Sequence, residues 1–172
     1  KRQIYESAFP QIVELGRLQG TTVYRSLKQY PNAKRLPSVV VLRVGAPIYF
    51  ANCSYVRETF ERFVEKHERR GEKVRVLVME MSPVSHVDAT AMHVLKEMME
   101  DFTEQRGLKF MIANPNPQVM RSLQHDEKVW AMLNPSGGTS AAGNLDPLPE
   151  DDAVAFVDSA SGTAKQVYYG HH

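Results

Sequence analysis

The chain has 172 residues, of which 42% are hydrophobic and 24% charged, and its 21 basic and 20 acidic side chains nearly cancel. This composition is typical of one globular domain with extensions, and the balanced charge gives no electrostatic case for nucleic-acid binding. The single cysteine, Cys53, excludes an internal disulfide and a cysteine metal site and favours a reducing compartment. No apolar run approaches the roughly 20 residues that span a bilayer.

Apolar, β-branched segments predict the strands. Residues 1–37 form a lead-in that contains a first short strand at residues 12–15, ended by Gly16. The strongest strand pattern is Val39–Val44, and further core strands are predicted at residues 74–79 and 108–113.

Helical spacing of apolar residues fills the gaps between those strands. Ser54 is the predicted N-cap of a first long helix, a second helix is predicted over residues 89–106, and a shorter one over residues 119–125. The alternation of strand and helix predicts an α/β fold with a largely parallel sheet, whose core covers residues 38–133.

The composition changes after the core. Residues 134–149 are rich in Ser, Gly, Ala and Asn and predict a flexible linker, and residues 150–160 begin with acidic residues and predict a short terminal helix. A disordered tail is expected over residues 161–172. Because the chain begins with Lys1 and ends in two histidines, we expect a fragment of a longer protein, with the histidine pair as the remnant of a purification tag.

The turn at residues 83–91 is the most informative segment, because it joins a strand to the start of a helix, where α/β folds place their chemistry. Asp88 is a good helix N-cap, and Thr90 lies in the first turn, where an added phosphate would meet free backbone N–H groups. Thr90 is therefore either a phosphorylation switch or ligand contact, or simply a hydroxyl that helps to cap the helix. The bare sequence favours the capping interpretation.

Other chemistry finds little support. His86 and His93 are possible metal ligands together with Asp88, but metal sites need more convergent ligands. Asp88 and Glu80 are not credible as a general acid/base pair, and no Ser–His–Asp order, nucleophile elbow or phosphate-binding glycine loop is present. The sequence therefore predicts no enzyme, no catalytic residue, no metal and no cofactor.

The segment from Ala46 to Asn52 is also unusual, since Pro47 interrupts an apolar pattern and implies an edge, a bulge or a break. We expect the Tyr49 and Phe50 rings to belong to the core rather than to a binding site. Cys53 is expected to be a small buried side chain, and Trp130, the only tryptophan, to anchor the end of the core.

Several motifs, in order, resemble the STAS domain of SulP sulfate transporters of plant and algal type. The likeness covers residues 8 to 130, and it implies the STAS fold, a mixed, mostly parallel sheet of about four to six strands with packed helices. The motifs are Gly20-Thr21-Thr22-Val23-Tyr24-Arg25 with Tyr30-Pro31, Ala46-Pro47-Ile48-Tyr49-Phe50-Ala51-Asn52, Val76-Leu77-Val78-Met79-Glu80-Met81-Ser82, the Asp88 turn and Lys109-Phe110-Met111-Ile112-Ala113-Asn114-Pro115.

The resemblance implies a cytoplasmic regulatory and interaction domain of a secondary active, proton-coupled sulfate transporter of the plasma membrane. Its implied partners are the transmembrane domain of the same protein, a second transporter copy, a kinase and a cytosolic enzyme of cysteine synthesis. The family's switch motif is Asp, two hydroxyl residues and Gly, and its phosphorylated position falls on Thr90. Here Ala89 and Ala91 replace the first hydroxyl and the glycine.

The sequence is also compatible with two other functions. One is a free-standing phosphoswitch protein like the bacterial anti-sigma-factor antagonists, which share the fold and bind an anti-sigma kinase. The other is a nucleotide-binding module, for which no residue of the sequence gives independent support. The lead-in over residues 1–37 and the Pro47 segment argue against the free-standing protein.

Overall fold

The computed structural model describes residues 9–21 and 23–133, together with the backbone of residues 167–170. The linker predicted over residues 134–149 and the terminal helix predicted over residues 150–160 lie outside the described residues. In the described part, no helix combines the length and the apolarity needed to cross a membrane.

A mixed seven-stranded sheet forms the centre of the domain, in the order β2-β1-β4-β5-β6-β7, with β3 also paired to β1. β4, β5 and β6 are parallel, whereas the pairs at both flanks are antiparallel. The predicted α/β class and the STAS fold with a mixed sheet are confirmed. Two of the six described pairings are parallel and four antiparallel, because β1 and β7 add antiparallel edges, so the sheet is not mostly parallel. The strands are β1 (Ile12–Leu18), β2 (Tyr24–Ser26), β3 (Ala33–Lys34), β4 (Val39–Val44), β5 (Val76–Glu80), β6 (Lys109–Ala113) and β7 (Val167–Gly170).

The lead-in contributes more structure than one short strand. β1 runs on to Leu18, so Gly16 lies inside the strand rather than at its end. A Cβ atom at Gly16 would lie 2.8 Å from the carbonyl oxygen of Lys34, so the glycine permits a close approach of two backbones. β2 and β3 complete this antiparallel flank.

Four α-helices follow the strands. Helix α2 continues into a π-helical turn, Asp101–Gln105, in which Arg106 N–H donates to the carbonyl oxygen of Asp101, 3.1 Å away. Gly107, at φ 70°, closes this helix in the left-handed conformation. The helices are α1 (Phe50–Arg69), α2 (Ala89–Glu100), α3 (Pro117–His125) and α4 (Glu127–Leu133).

The start of α1 corrects one prediction. The N-cap is Tyr49, five residues before Ser54, because the Asn52 side chain bonds the backbone at Tyr49. The Asn52 side chain is fully buried, accepts from the Tyr49 N–H at 2.8 Å and donates to the Pro47 carbonyl at 3.0 Å. An asparagine at the third helical position thus serves as the reciprocal half of a capping box.

The main core lies between one face of the sheet and the four helices. Its largest fully buried side chains include Phe60, Phe102 and Phe110, and Cys53 is buried as expected. Trp130 is half-buried and packs against this cluster. A smaller apolar cluster, which contains Val41 and Val78, occupies the other face of the sheet.

The predicted disordered tail over residues 161–172 is wrong for Val167–Gly170. The backbone of this segment forms β7, which pairs antiparallel with β6. An open edge of β6 offers unpaired N–H and C=O groups, and a Val-Tyr-Tyr sequence has high strand propensity, so pairing is favourable. The remainder of that tail, with the predicted tag remnant, lies outside the described residues.

Candidate functional site

Three helices begin at the carboxyl edge of the parallel strands. β4 leads into α1, β5 into α2 and β6 into α3, so three positive helix ends converge above the sheet. Asn116 is the N-cap of α3, where its Oδ1 accepts from the Val119 N–H at 2.8 Å. This edge of an α/β sheet is where ligands and partners commonly bind.

Asp88 holds two of these helix starts with one carboxylate. Its Oδ1 accepts from the Ala91 N–H at 2.8 Å and caps α2, and its Oδ2 accepts from the Phe50 N–H at 3.0 Å at the first residue of α1. A carboxylate between two helix N-termini is stabilised by both dipoles. The orientation of α1 and that of α2 therefore depend on the same side chain.

The main chain reinforces this junction. Ile48 and Val87 form an isolated parallel bridge, in which Ile48 N–H donates to the His86 carbonyl at 3.0 Å and Asp88 N–H donates to the Ile48 carbonyl at 3.1 Å. The segment after Pro47 thus pairs with the Asp88 turn rather than continuing β4, as the expected break requires.

Tyr49 and Phe50 do not belong to the core, contrary to expectation. Phe50 is 72% exposed and Tyr49 is 37% exposed. The reason is the early start of α1: Ile48 enters the core, and the next two residues occupy the outer surface of the first turn. The Tyr49 ring lies 5.8 Å from the His86 ring, measured between centroids.

Thr90 is exposed on the first turn of α2. Asp88 performs the capping, and the Thr90 hydroxyl makes no hydrogen bond to any described residue. Ala89, beside it, is also exposed, whereas Ala91 is buried in the core. The hydroxyl is thus accessible and contributes no observed contact to the helix start.

The two histidines do not converge on Asp88. His86 contacts the Gln118 side chain through Nδ1 at 3.2 Å, and the largely exposed His93 pairs with Glu97 at 3.2 Å. In the part of the chain that the structure describes, no three His, Cys, Asp or Glu side chains are grouped as metal ligands.

Glu80 belongs to a network that sequence reasoning missed. Its side chain is 1% exposed and pairs with Arg43, its register partner on β4. The same carboxylate accepts from the Ser82 backbone N–H at 3.0 Å, from the Ser82 hydroxyl and from the Asn114 amide at 3.2 Å. Its carboxylate oxygens are occupied by these contacts, so Glu80 fixes the chain that leads from β5 into the Asp88 turn. The sequence does contain a signal for this pair, because Arg43 and Glu80 are charged residues within two otherwise apolar strands.

In the part of the chain that the structure describes, this edge presents an accessible surface, and its carboxylates are already bonded within the protein. Asp88 is committed to two backbone donors, and Glu80 to Arg43, Ser82 and Asn114. A phosphate on Thr90 would lie near the remaining N–H groups of the first α2 turn and beside the Asp88 carboxylate.

Comparison with known proteins gives a consistent result. The family profile described as "STAS domain" matches residues 30–126. The chain is 43% identical over 126 residues to "Probable sulfate transporter 4.2" of Arabidopsis thaliana, covering 70% of this chain and 18% of that protein. It is 43% identical over 122 residues to "Sulfate transporter 4.1, chloroplastic" of the same plant, covering 67% and 18%.

A solved structure agrees with these relatives. The murine Slc26a9 anion transporter in the inward-facing state matches with a TM-score of 0.63 and 25% identity, over 73% of this chain and 20% of that chain. These named relatives are transporters rather than enzymes. The chain spans about 18% of the length of the two plant relatives.

Proposed function

Because this chain belongs to the STAS domain family, we propose that it is the cytoplasmic regulatory and interaction domain of a secondary active, proton-coupled sulfate transporter. The observation that carries the proposal is the match to the same kind of segment in relatives named as sulfate transporters. In this proposal the transmembrane domain of the same protein conducts the anion, and the present domain adjusts its activity or delivery.

The surface through which the domain acts is proposed to be the control surface, defined as Tyr49, Phe50, His86, Ala89 and Thr90. Two exposed aromatic rings stand beside an accessible hydroxyl on it, and residues 44–56 carry no charged side chain. Exposed aromatic residues are enriched where proteins bind one another. The surface therefore fits a partner with an apolar contact area.

Phosphorylation of Thr90 would alter this surface without dismantling the fold. It would add about 1.5 to 2 negative charges beside apolar rings. The N–H groups of Phe50 and Ala91 are already bonded to Asp88, so a phosphate would not compete for a free cap. Repulsion by Asp88 and attraction by the helix end oppose each other. The main effect proposed is on partner binding.

Several partners are proposed for the control surface. They are a kinase that modifies Thr90, a cytosolic enzyme of cysteine synthesis and a second transporter copy. Each would contact an exposed region, and a kinase requires Thr90 to face the cytosol.

The proposed residence in the plasma membrane is tested by imaging the full-length protein fused to a fluorescent protein. Because one relative is named as chloroplastic, an envelope signal would move the proposal to that membrane.

The regulatory role is tested by sulfate uptake through the full-length transporter. We expect deletion of the domain to lower uptake or surface delivery, and Thr90→Asp to change uptake where Thr90→Ala does not. Gln19→Asp, which adds a charge in the exposed turn between β1 and β2, is a control that should behave as the wild type. Unchanged uptake and delivery after deletion would reject the regulatory role. Wild-type uptake in both Thr90 variants would remove Thr90 from it.

A further inference from the structure

The opposite end of the parallel strands carries a dense set of exposed cations. We name this region the basic edge. It is formed by the end of β3 and the residue after it, the end of α1 and the loop before β5. Its acidic side chains are Glu65, Glu68 and Glu72, and Glu14 of β1 also pairs with Arg35, at 3.0 Å. Its basic members, all exposed, are Lys34, Arg35, Lys66, Arg69, Arg70, Lys73 and Arg75.

These segments form one continuous surface. Arg35 pairs with Glu72 at 3.5 Å, which joins the segment after β3 to the loop after α1. Arg75 N–H donates to the Ser38 carbonyl at 2.8 Å, and Lys109 N–H donates to the Arg75 carbonyl at 2.9 Å, so the starts of β4, β5 and β6 lie side by side. The cations are therefore neighbours in space as well as in sequence.

Stabilisation of α1 and of the neighbouring loop explains only some of these basic residues. Basic residues in the last turn of α1 favour the negative end of its dipole, and Glu72 is shared between Arg35 and His67. Yet Lys66, Arg70 and Lys73 make no ion pair with any residue that the structure describes. The structure therefore leaves an excess of exposed positive charge at this edge.

We propose that the basic edge binds the anionic headgroups of the bilayer that holds the transporter. Each Lys or Arg near an anionic membrane surface contributes about 1 kcal/mol, and such charges need no shaped pocket. Tyr30, 41% exposed in the loop before β3, is an aromatic residue of the kind enriched at membrane interfaces. The inference takes its setting from the proposed attachment to a transporter, since attachment keeps the domain close to lipid. It leaves the control surface at the far end of the strands accessible to cytosolic partners.

The test is sedimentation of the 172-residue chain with vesicles. We expect binding to vesicles of 70% phosphatidylcholine and 30% phosphatidylserine, weakening as salt rises, and little binding to phosphatidylcholine alone. The triple variant Lys66→Gln, Arg70→Gln, Lys73→Gln should bind the anionic vesicles roughly a hundredfold more weakly, the product of three contributions of about 1 kcal/mol. Circular dichroism checks that the variant is folded.

A matched control removes three cations from the other helices, Lys96→Gln, Arg121→Gln and Lys128→Gln, and should retain vesicle binding. Absence of binding to anionic vesicles at low salt, or equal loss in the control, would overturn the proposal. Tighter binding to soluble polyglutamate than to the vesicles would also overturn it, in favour of an acidic protein partner. None of these results depends on uptake or on Thr90, so failure here is distinguishable from failure of the proposed regulatory role.

Discussion

The two ends of the parallel strands use charge in opposite ways. At the carboxyl edge, residues 81–95 contain one carboxylate, Asp88, and it is bonded to two helix starts. At the amino edge, eight of the eleven residues 65–75 are Glu, Lys or Arg, and all eight are exposed. The end with more charged residues is therefore not the end where a charge contributes most to stability.

Burial explains the difference. An exposed ion pair contributes about 0–1 kcal/mol, whereas breaking a buried pair leaves a desolvated charge and costs about 3–5 kcal/mol. The scarce charges of the carboxyl edge therefore fix its geometry, and the abundant charges of the basic edge remain available to a partner. Substitutions at the two ends should separate these roles.

Among substitutions of charged residues, the largest effect is expected for Arg43→Met. The substitution keeps an aliphatic side chain but leaves Glu80, which is 1% exposed, without its cation. Since the Ser82 and Asn114 donors remain, we expect unfolding free energy to fall by about 3 kcal/mol, measured by urea denaturation. Arg57→Met is the control: Arg57 contacts three partly exposed carboxylates, so its loss should cost about 1 kcal/mol or less. Equal losses in both variants would contradict the contrast.

Asp88→Ala should have the next largest effect. It removes one acceptor from two helix starts, and the expected loss is about 2–3 kcal/mol in the same denaturation experiment. Asn116→Ala removes the cap of a single helix together with an exposed hydrogen bond to the Ser85 carbonyl, 3.0 Å long, and should cost about 1 kcal/mol. A smaller loss for Asp88→Ala than for Asn116→Ala would show that the shared cap does not couple the two helices.

The contribution of Glu72, in the basic edge, to stability is tested by unfolding at acid pH. The hydrogen bond to the His67 ring holds the pKa of Glu72 below its ordinary value against the opposing effect of burial, and the charges of His67, Arg35 and Arg70 assist. Because the native pKa is lowered, the stabilisation is present above the ordinary glutamate range, about 4.3, and is lost as the pH falls through the lower native value. Glu72→Gln should flatten this loss of stability as the pH falls below the ordinary glutamate range.

The control for that experiment is Glu68→Gln. Glu68 is exposed and makes no ion pair among the residues the structure describes, so its substitution should leave the acid limb of the stability curve unchanged. An equal change in both variants would assign the effect to overall charge rather than to the His67 contact.

Phe50→Ala should change unfolding free energy by less than about 0.5 kcal/mol, since the ring is 72% exposed. Phe60→Ala, in the same helix and fully buried, should cost about 3–5 kcal/mol. Thermal or urea unfolding of both variants provides the comparison. A large loss for Phe50→Ala would mean that the ring supports the fold rather than the control surface.

The smallest effect is expected for Thr90→Ala, whose hydroxyl has no hydrogen bond among the described residues. We expect less than about 0.5 kcal/mol of change in unfolding free energy, since Asp88 supplies the cap. A loss above about 1 kcal/mol would restore a capping role for the hydroxyl.

The sequence was sufficient for elements whose signal is local. The β-branched run of Val39–Val44 predicts β4 with its observed bounds, and the helical spacing over residues 119–125 predicts α3, which begins two residues earlier, at Pro117. Strands β2, β3 and β7 are short or distant in sequence from their partners, and their pairing depends on the edges that β1 and β6 offer. Such edge pairing leaves little local pattern.

The candidate site was predictable to a similar extent. Asp88 lies at a helix start because of its position after a strand and before an amphipathic segment. Its second contact, with the Phe50 N–H, joins residues 38 positions apart and has no local signal. The same long-range contact accompanies the early start of α1. The local pattern therefore predicts Ser54 as the cap and does not predict the exposure of Phe50.

The π-helical turn at Asp101–Gln105 has a consequence for how chain length can vary. Such a turn holds one residue more than an α-helical turn, so deleting the exposed Glu104 would let α2 run as a regular helix to the same closing Gly107. The same deletion in α1 would rotate every following side chain by about 100° and displace buried residues such as Val64. The end of α2 is thus the position in this core where a one-residue length difference between related chains can be absorbed without re-pairing β6.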